Sequence, residues 1–407
     1  MNMMNAMDMA REERGAVKGD LPERPLYFDS NLQIVFIITL IVVMGVSSIS
    51  PALPEIQTAF GIQKPAVGLL IVVFTLPGVL FAPLFGVLAD RYGRKTVLVP
   101  SLLLFGIAGS ACSLVRAFDL LLALRFLQGI GAASLGSLNL TIIADLYTKR
   151  QLATALGYNA SILNLAVPGY LIIGGVLASF AWYYPFVLPI LAVPVGMLVM
   201  TSLTNPEPHN REDLWAYLSS AFQSVQNRLV LGLLTLTLFT FIILYGTYLT
   251  YFSLFLGSER FQASPLLIGI VTSSMGLTTA LTAAHIGTLT RRYTEKKLIR
   301  LAFIIYALAL LLMPLVHTIW LFFLPTLLFG FAHGMNLPSI QMLLARLAPL
   351  EYRAAFMSLN GMVLRLGQTL GPLIMGLVYL IGGFEMIFFL SAGLAAAMIP
   401  VASMIVR

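Results

Sequence analysis

Apolar segments of about 20 residues recur along the whole chain, and they constrain its fold more than any other feature. A helix of that length spans the roughly 30 Å hydrocarbon core of a bilayer. Within lipid every backbone polar group needs a partner inside the chain, and these segments lack the alternating polarity of strands, so helices are expected. Of the 407 residues, 59% are hydrophobic and 10% are charged, whereas about 25% are charged in a soluble domain. The sequence predicts an all-α membrane protein.

Twelve such segments divide the chain into two sets of six. They cover residues 32–53, 65–88, 96–115, 118–143, 152–178, 183–203, 228–256, 265–289, 298–316, 319–344, 354–380 and 383–406. This division predicts a polar N-terminal tail (1–31), a six-helix bundle (32–203), a linker (204–227) and a second six-helix bundle (228–407). The linker carries apolar residues at helical spacing and predicts an amphipathic helix at the membrane surface. The tail has no apolar core and is predicted to be cytoplasmic, not a cleaved signal.

The distribution of basic residues predicts the orientation. A net charge of +7 would suggest nucleic acid as a partner of a soluble protein. Here the Lys and Arg residues lie mostly in every second gap, on the side of both tails, and the opposite gaps hold only Lys64, Arg116 and Arg260. Positive loops remain in the cytoplasm. We therefore expect cytoplasmic termini, a bacterial inner membrane as location and no nucleic-acid partner.

The two halves repeat each other. A shift of 201 residues places Gly86, Arg91 and Lys95 on Gly287, Arg292 and Lys296, and Asn159 on Asn360. Six spans separate the partners, so both halves cross the membrane in the same direction. Parallel repeats of this kind predict a binding site near the middle of the membrane, between the halves, with alternating access.

Three short motifs resemble a known family. GVLADRYGRKTVL (86–98), between the second and third spans, resembles the loop signature of the major facilitator superfamily. LLALRFLQGIGAA (121–133) and SISPALPEI (48–56) are similar to segments of its drug/proton antiporter branch. The resemblance covers essentially the whole chain. It implies a secondary transporter and not an enzyme, with a small-molecule substrate and protons as partners, working as a monomer in the bilayer without cofactor or metal.

The first motif predicts a conformational latch formed by Gly86, Asp90, Arg91, Gly93, Arg94 and Asp145. The resemblance implies that Asp90 faces the N-terminus of span eleven and that Arg94 pairs with Asp145. An acid near a helix N-terminus is favourable because the helix dipole is positive there. The equivalent positions of Asp90 and Asp145 in the second half carry Arg291 and Arg346, so the latch is expected in the first half only. Simple positive-inside charge explains the basic residues but not Asp90.

Five polar residues deep in the spans are candidates for proton coupling or for the cavity: Arg125, Gln128, His333, Arg365 and Gln368. A charged residue at such depth is costly and is by default a functional hypothesis. The resemblance associates Arg125 with proton coupling, although snorkelling or pairing with Asp119 is the structural alternative. Because the reference pKa of histidine is about 6.5, His333 is expected to be a group that switches charge at physiological pH, or it is a neutral residue hydrogen-bonded to a neighbouring helix.

Glycines at small-residue spacing predict close helix packing. The residues concerned are Gly129, Gly174, Gly175, Gly367, Gly371, Pro372 and Gly376. The last four resemble the antiporter signature of the family. In the family that signature belongs to span five, where this chain keeps Gly174 and Gly175 but has Tyr170 and Leu171 in place of Gly-Pro.

All seventeen acidic residues fall in the tail, the linker or near the ends of spans. A cation exporter needs a carboxylate in its cavity because a desolvated cation needs a partner. Two hypotheses remain open. One is efflux of small amphipathic molecules, with proton coupling through Arg125 and either His333 or an acidic residue near the end of a span (a rim acid). The other is export of an anionic metabolite or lipid-like molecule bound by Arg125 and Arg365.

Overall fold

The computed structural model describes residues 26–147, 149–204, 227–347 and 353–404, and nearly all of them are helical. Eleven stretches of the described residues are long and apolar enough to cross a membrane. The last stretch contains two helices, because Gly382 and Gly383 leave helical geometry inside it and Gly383 has a φ of 67°. The prediction of twelve membrane helices without strands is confirmed. The predicted linker helix lies outside the described residues.

The first six helices form the N-terminal half. They are α1 (Ser30–Ser47), α2 (Lys64–Tyr92), α3 (Arg94–Ala111), α4 (Phe118–Leu146), α5 (Lys149–Phe180) and α6 (Ala192–Ser202). A short helix, Leu53–Phe60, extends α1, and a 3-10 segment, Tyr184–Leu191, precedes α6.

The second six helices form the C-terminal half. They are α7 (Arg228–Ile242), α8 (Pro265–Ala284), α9 (Glu295–Leu312), α10 (Phe323–Leu347), α11 (353–381) and α12 (384–404). A π-helical segment, Ile243–Phe252, continues α7. The sequence analysis did not anticipate it, because a π-helix leaves no simple hydrophobic period.

The internal repeat extends to the helix bounds and to buried polar pairs. A shift of 201 places the first and last residues of α3 on those of α9, and the 3-10 turn Cys112–Leu114 on Met313–Leu315. Thr39 donates to the Asn159 Oδ1 at 2.5 Å between α1 and α5, and Thr237 donates to the Asn360 Oδ1 at 2.9 Å between α7 and α11. Both halves therefore join their first and fifth helices through the same kind of hydrogen bond.

Two ends of the molecule are distinguished by charge. We call the end that carries the α2–α3 and α8–α9 turns the basic end, and the end with Lys64, Arg116 and Arg260 the opposite end. The two halves meet along α2–α11 and α5–α8. A Cβ on Gly68 would lie 3.4 Å from Pro372, and a Cβ on Gly175 would lie 2.5 Å from the Pro265 carbonyl oxygen. These contacts belong to the parts of the four helices nearer the opposite end.

Toward the basic end the halves separate. On the α5–α8 side, close contact extends inward to Pro168 and Gly276. Beyond it, large apolar side chains of α5 are exposed on more than one face, among them Leu156 (38%), Leu163 (41%) and Leu165 (60%). A Cβ on Gly157 of α5 or on Gly361 of α11 would meet no atom within 4 Å. The halves thus enclose a central space that is closed at the opposite end and open at the basic end.

Candidate functional site

Three of the six predicted latch residues form a compact ion cluster at the basic end. The Arg94 Nε donates to the Asp145 Oδ2 at 2.9 Å, and its Nη1 donates to the Asp90 Oδ1. The Arg94 side chain is only 9% exposed, whereas those of Asp90 and Asp145 are 40% and 28% exposed. The arginine therefore joins the ends of α2 and α4 to the start of α3. We call these three residues the basic-end cluster.

The turn between α2 and α3 positions the arginine. Gly93 has a φ of 96° and a ψ of 147°, a conformation that side chains with a Cβ rarely adopt. It is buried, and it ends α2 one residue before α3 begins. Arg91 is exposed and lies over the Tyr92 ring at 5.6 Å. A Cβ on Gly86 would meet no atom within 4 Å, so that glycine has free space around it in this conformation.

The second half has an ion pair of its own at the equivalent place, although Arg291 stands at the position of Asp90 and the one-sided latch stays a prediction. The Arg346 Nη1 lies 2.7 Å from the Glu295 Oε1. The shift of 201 places Arg94 on Glu295 and Asp145 on Arg346. The same two positions thus carry an ion pair in each half, with the signs exchanged. The sequence prediction considered only that Arg346 stands at the position of Asp145. It missed that Glu295 stands at the position of Arg94.

Arg125 lies wholly inside the N-terminal half, with no exposed surface. Its Nε donates to the Leu70 carbonyl at 3.2 Å, its Nη1 donates to the Gln128 Oε1 at 2.7 Å, and the guanidinium lies 4.2 Å from the centre of the Phe74 ring. It neither snorkels nor pairs with Asp119. Among the described residues, the Arg125 Nη2 and the Gln128 Nε2 are buried without a hydrogen-bond partner. The pair is a buried, incompletely satisfied polar site.

His333 lies inside the C-terminal half and is 6% exposed. Its Nδ1 is 2.6 Å from the Tyr306 hydroxyl on α9, and its ring meets Phe241 edge-on. A hydroxyl that donates to Nδ1 holds the neutral tautomer with the proton on Nε2. The described contacts are those of the structural alternative, a histidine bonded to a neighbouring helix.

The Arg365 side chain extends from the C-terminal half into contact with the N-terminal half. It lies on α11, yet a Cβ on Gly78 of α2 would overlap its Nη1, and a Cβ on Gly136 of α4 would lie 2.9 Å from its Nη2. Tyr245 and Gln368 adjoin it in the C-terminal half. Within the described part of the chain, no hydrogen-bond acceptor or carboxylate pairs with the guanidinium. Arg125 and Arg365 are not neighbours, because Gly136 lies about 16 Å from Arg125 along α4.

The acids of the described residues do not approach this centre. Asp119 and Glu295 occupy the first turns of α4 and α9, and Asp90 and Asp145 the last turns of α2 and α4. The remaining described acids, Asp29, Glu55, Glu259 and Glu385, lie before α1, in the short helix after α1, before α8 and just after the Gly382–Gly383 break. The central space is therefore positive at Arg365.

The predicted packing glycines lie at two kinds of contact. Within the halves, Gly129 packs on the Phe74 carbonyl, Gly174 on Ser48, and Gly367 and Gly371 on the backbone of α7 and its π segment. Between the halves, Gly175 contacts the start of α8, and Pro372 and Gly376 lie near Gly68 and Pro65 of α2. The small residues thus serve helix packing inside each half and the closed seam between them.

Sequence reasoning missed the residues that shape the space around Arg365. Gly78 and Gly136 were not singled out, since an isolated glycine in a span gives no directional signal. Thr75 and Thr369 were also missed, and their hydroxyls form a 2.9 Å hydrogen bond between α2 and α11, one turn from Arg365. Glu295 could have been found from the repeat, because the shift of 201 places it on Arg94.

Comparisons with known proteins agree with this architecture. The family model described as Major Facilitator Superfamily matches residues 35–262 and 258–407. Tetracycline resistance protein, class B, of Escherichia coli is 26% identical over 365 residues, covering 86% of this chain and 89% of that protein. Multidrug resistance protein 1 of Bacillus subtilis is 25% identical and covers 86% and 90%. A solved structure of the nucleoside transporter NupG superposes with a TM-score of 0.77 at 14% identity, covering 93% of this chain and all of that one.

Proposed function

The chain belongs to the major facilitator superfamily, and we propose that it exports small amphipathic molecules from the cell by proton-coupled alternating access. Relatives named for tetracycline and multidrug resistance, similar over most of their length, support efflux as the direction. The basic loops support a cytoplasmic position of the basic end and of both termini. A bacterial inner membrane and a monomeric working unit belong to the same proposal.

The single observation that carries the proposal is the unequal closure of the two ends. The helices α2, α5, α8 and α11 touch across the seam near the opposite end, while the inner part of α5 is exposed. Two parallel six-helix bundles that meet at one end can rock about the region between them and expose the centre to the other side. Cargo then enters from the cytoplasm in the observed state and leaves after the halves have rocked.

The basic-end cluster is proposed to stabilise the state in which the basic end is closed. Asp90 remains 40% exposed while it binds Arg94, so one of its faces is free for a second partner. On closure the start of α11 approaches α2, and the unpaired N–H groups of that helix offer a favourable site for a carboxylate. In this mechanism Arg94 and Asp145 hold Asp90 in position before closure.

Proton coupling is proposed to involve the two buried polar sites, Arg125 with Gln128 and His333 with Tyr306. The first site is enclosed in the N-terminal half and the second in the C-terminal half, so neither binds cargo directly in the observed state. Of these groups only His333 can take up the proton, whereas Arg125 stays charged and acts through its hydrogen bonds. A change in hydrogen bonding at either site alters helix packing and thereby the balance between the two states. Rim acids such as Asp119 are the alternative proton carriers.

Transport in sealed vesicles tests the proposal. The purified protein is reconstituted in proteoliposomes, and uptake of ethidium, pyrenebutyramide and pyrenebutyric acid is followed with and without an imposed pH gradient. We expect gradient-driven uptake of at least one probe, abolished by a protonophore and slowed by Asp90→Asn. If uptake of a probe saturates but ignores the gradient, the protein transports without protons. If none of the three probes accumulates, amphipathic efflux is wrong.

A further inference from the structure

We propose that Arg365 binds the carboxylate of an amphipathic organic acid at the closed apex of the central space, so that single-carboxylate compounds are preferred cargo. This inference rests on the proposed function for the claim that the bound acid is transported, but binding itself is measured independently.

Arg365 lies where the space between the halves ends. One turn farther along α11, Thr369 donates to Thr75 across the seam at 2.9 Å. Beyond that bond, Pro372 packs on Gly68 and Gly376 lies near Pro65. On the side of the basic end, Gly361, one turn before Arg365, has no atom within 4 Å of the position of a Cβ. A molecule that enters from the basic end therefore meets Arg365 as the last side chain before the seam.

Two glycines of the N-terminal half create room for the guanidinium. A side chain on Gly78 would overlap the Arg365 Nη1, and a Cβ on Gly136 would lie 2.9 Å from the Nη2. Both terminal nitrogens of a C-terminal-half residue therefore lie against the other half. A ligand on this guanidinium contacts the two halves at once, which is the position from which binding can influence their relative orientation.

The Arg365 guanidinium has no counter-charge among the described residues. Arg365 is partly exposed, and across the described residues it forms neither an ion pair nor a hydrogen bond through its side chain. The acids of the described chain lie near helix ends, away from the middle of α11. A cation in a low-dielectric space without a protein partner attracts an anion, and planar guanidinium groups bind carboxylates with two parallel hydrogen bonds.

The neighbouring groups fit an acid with an apolar body. Tyr245 and Gln368 adjoin Arg365 and add a phenol and an amide, which can orient a carboxylate. On α1, the Val42 side chain lies 4.0 Å from the position of a Cβ on Gly136, beside the Arg365 Nη2, and provides apolar surface there. Recognition by one cation and two neutral polar groups beside apolar surface favours a single negative charge on a hydrophobic frame.

Binding of three matched probes tests the site. Pyrenebutyric acid, pyrenebutyramide and pyrenebutylamine share one apolar body and carry a negative, a neutral and a positive head group. Their affinities for the detergent-solubilised full chain are measured by equilibrium dialysis. We expect the acid to bind about tenfold more tightly than the amide, the effect of one charge-assisted pair, and the amine to bind most weakly. Equal affinity for acid and amide would overturn the proposal.

Three variants locate the effect. In Arg365→Gln the preference for the acid over the amide should fall from about tenfold to about one, with the amide affinity unchanged. Arg365→Lys should keep part of the preference. If Arg365→Gln does not fold, Gly78→Ala decides, because it retains the arginine but displaces its Nη1 and should also lower the preference. The matched control is Gly361→Ala on the same helix, which should leave the preference intact.

The outcomes separate this inference from the proposed function. If the acid preference disappears in Arg365→Gln but no probe is transported by the native protein, the site is supported and the efflux proposal fails. If ethidium is exported with protons while Arg365→Gln binds the acid as the native protein does, efflux is supported and the carboxylate site is wrong. A preference that persists in both Arg365→Gln and Gly78→Ala overturns the inference as well.

Discussion

The ion cluster of the N-terminal half and its counterpart in the C-terminal half occupy equivalent places but have opposite relations to their helices. In the first half, Arg94 begins α3, while Asp90 and Asp145 lie in the last turns of α2 and α4. In the second half, Glu295 begins α9, while Arg346 lies in the last turn of α10 and Arg291 in that of the short helix Ile286–Arg292. The repeat has kept the location of the ion pair and exchanged its signs.

The exchange changes what each charge gains from its partner. A helix N-terminus is partly positive and a C-terminus partly negative. Glu295 and Arg346 therefore lie at helix ends that favour them, even without each other. Arg94, Asp90 and Asp145 all lie at ends that disfavour them, and they are stabilised by one another. A cluster of mutually dependent charges is suited to exchanging partners when the halves move, whereas the C-terminal pair is suited to remaining as it is.

Loss of Arg94 should have the largest effect on stability. Arg94→Gln removes a cation that is 9% exposed and leaves two carboxylates at unfavourable helix ends. We expect the free energy of unfolding to fall by about 3 kcal/mol, the lower part of the range for breaking a buried pair, because both acids are partly exposed. Denaturant unfolding in mixed detergent micelles measures it. A loss as small as that of Arg292→Gln, an exposed basic residue at the same end, would contradict the cluster.

Exchanging the charges of the first half should recover part of that loss. The double variant Arg94→Glu with Asp145→Arg gives α3 and α4 the arrangement of α9 and α10. Each charge then lies at a favourable helix end, although Asp90 repels the new glutamate. We expect the double variant to be more stable than Arg94→Glu alone by about 2 kcal/mol. Non-additivity in a double-mutant cycle measures the pair, and strict additivity would show that the two positions are independent.

Loss of Arg346 should matter less than loss of Arg94. Its side chain is 64% exposed, but that of Glu295 is only 10% exposed, so the variant leaves a buried carboxylate that retains only the favourable field of the α9 N-terminus. We expect Arg346→Gln to lower the free energy of unfolding by about 1 to 2 kcal/mol, between the values for exposed and for buried pairs. The same unfolding assay applies, with Lys297→Gln, an exposed residue of α9, as a control for loss of one positive charge at this end. An effect equal to that of Arg94→Gln would show that helix ends do not distinguish the two clusters.

The contrast between the halves also shows what the sequence could predict. The twelve helices follow from apolar length, and the repeat follows from matching glycines and basic residues, because both properties are periodic along the chain. The pairing of Arg94 with Asp145 followed from the family resemblance. The room that Gly78 and Gly136 leave for Arg365 could not be predicted, since it depends on how α2, α4 and α11 approach one another. The enclosure of Arg125 likewise depends on the rotation of α4, which a uniformly apolar helix does not reveal.

The deep polar sites give the smallest expected effect on stability and the clearest separation of stability from function. The shift of 201 places Arg125 on Thr326 and Gln128 on Phe329, so the C-terminal half folds with a smaller and less polar pair at the same place. Arg125→Met keeps the length of the side chain and removes a buried charge whose Nη2 has no described partner. Replacing a buried ion by an apolar group of similar volume is often neutral or stabilising, so the free energy of unfolding should change by less than about 1 kcal/mol.

If Arg125 carries the coupling, the same variant should still take up probe down its concentration gradient but lose acceleration by a pH gradient in proteoliposomes. Gradient-driven uptake at the native rate would assign coupling to His333 or to a rim acid and would leave Arg125 as a packing residue of the N-terminal half.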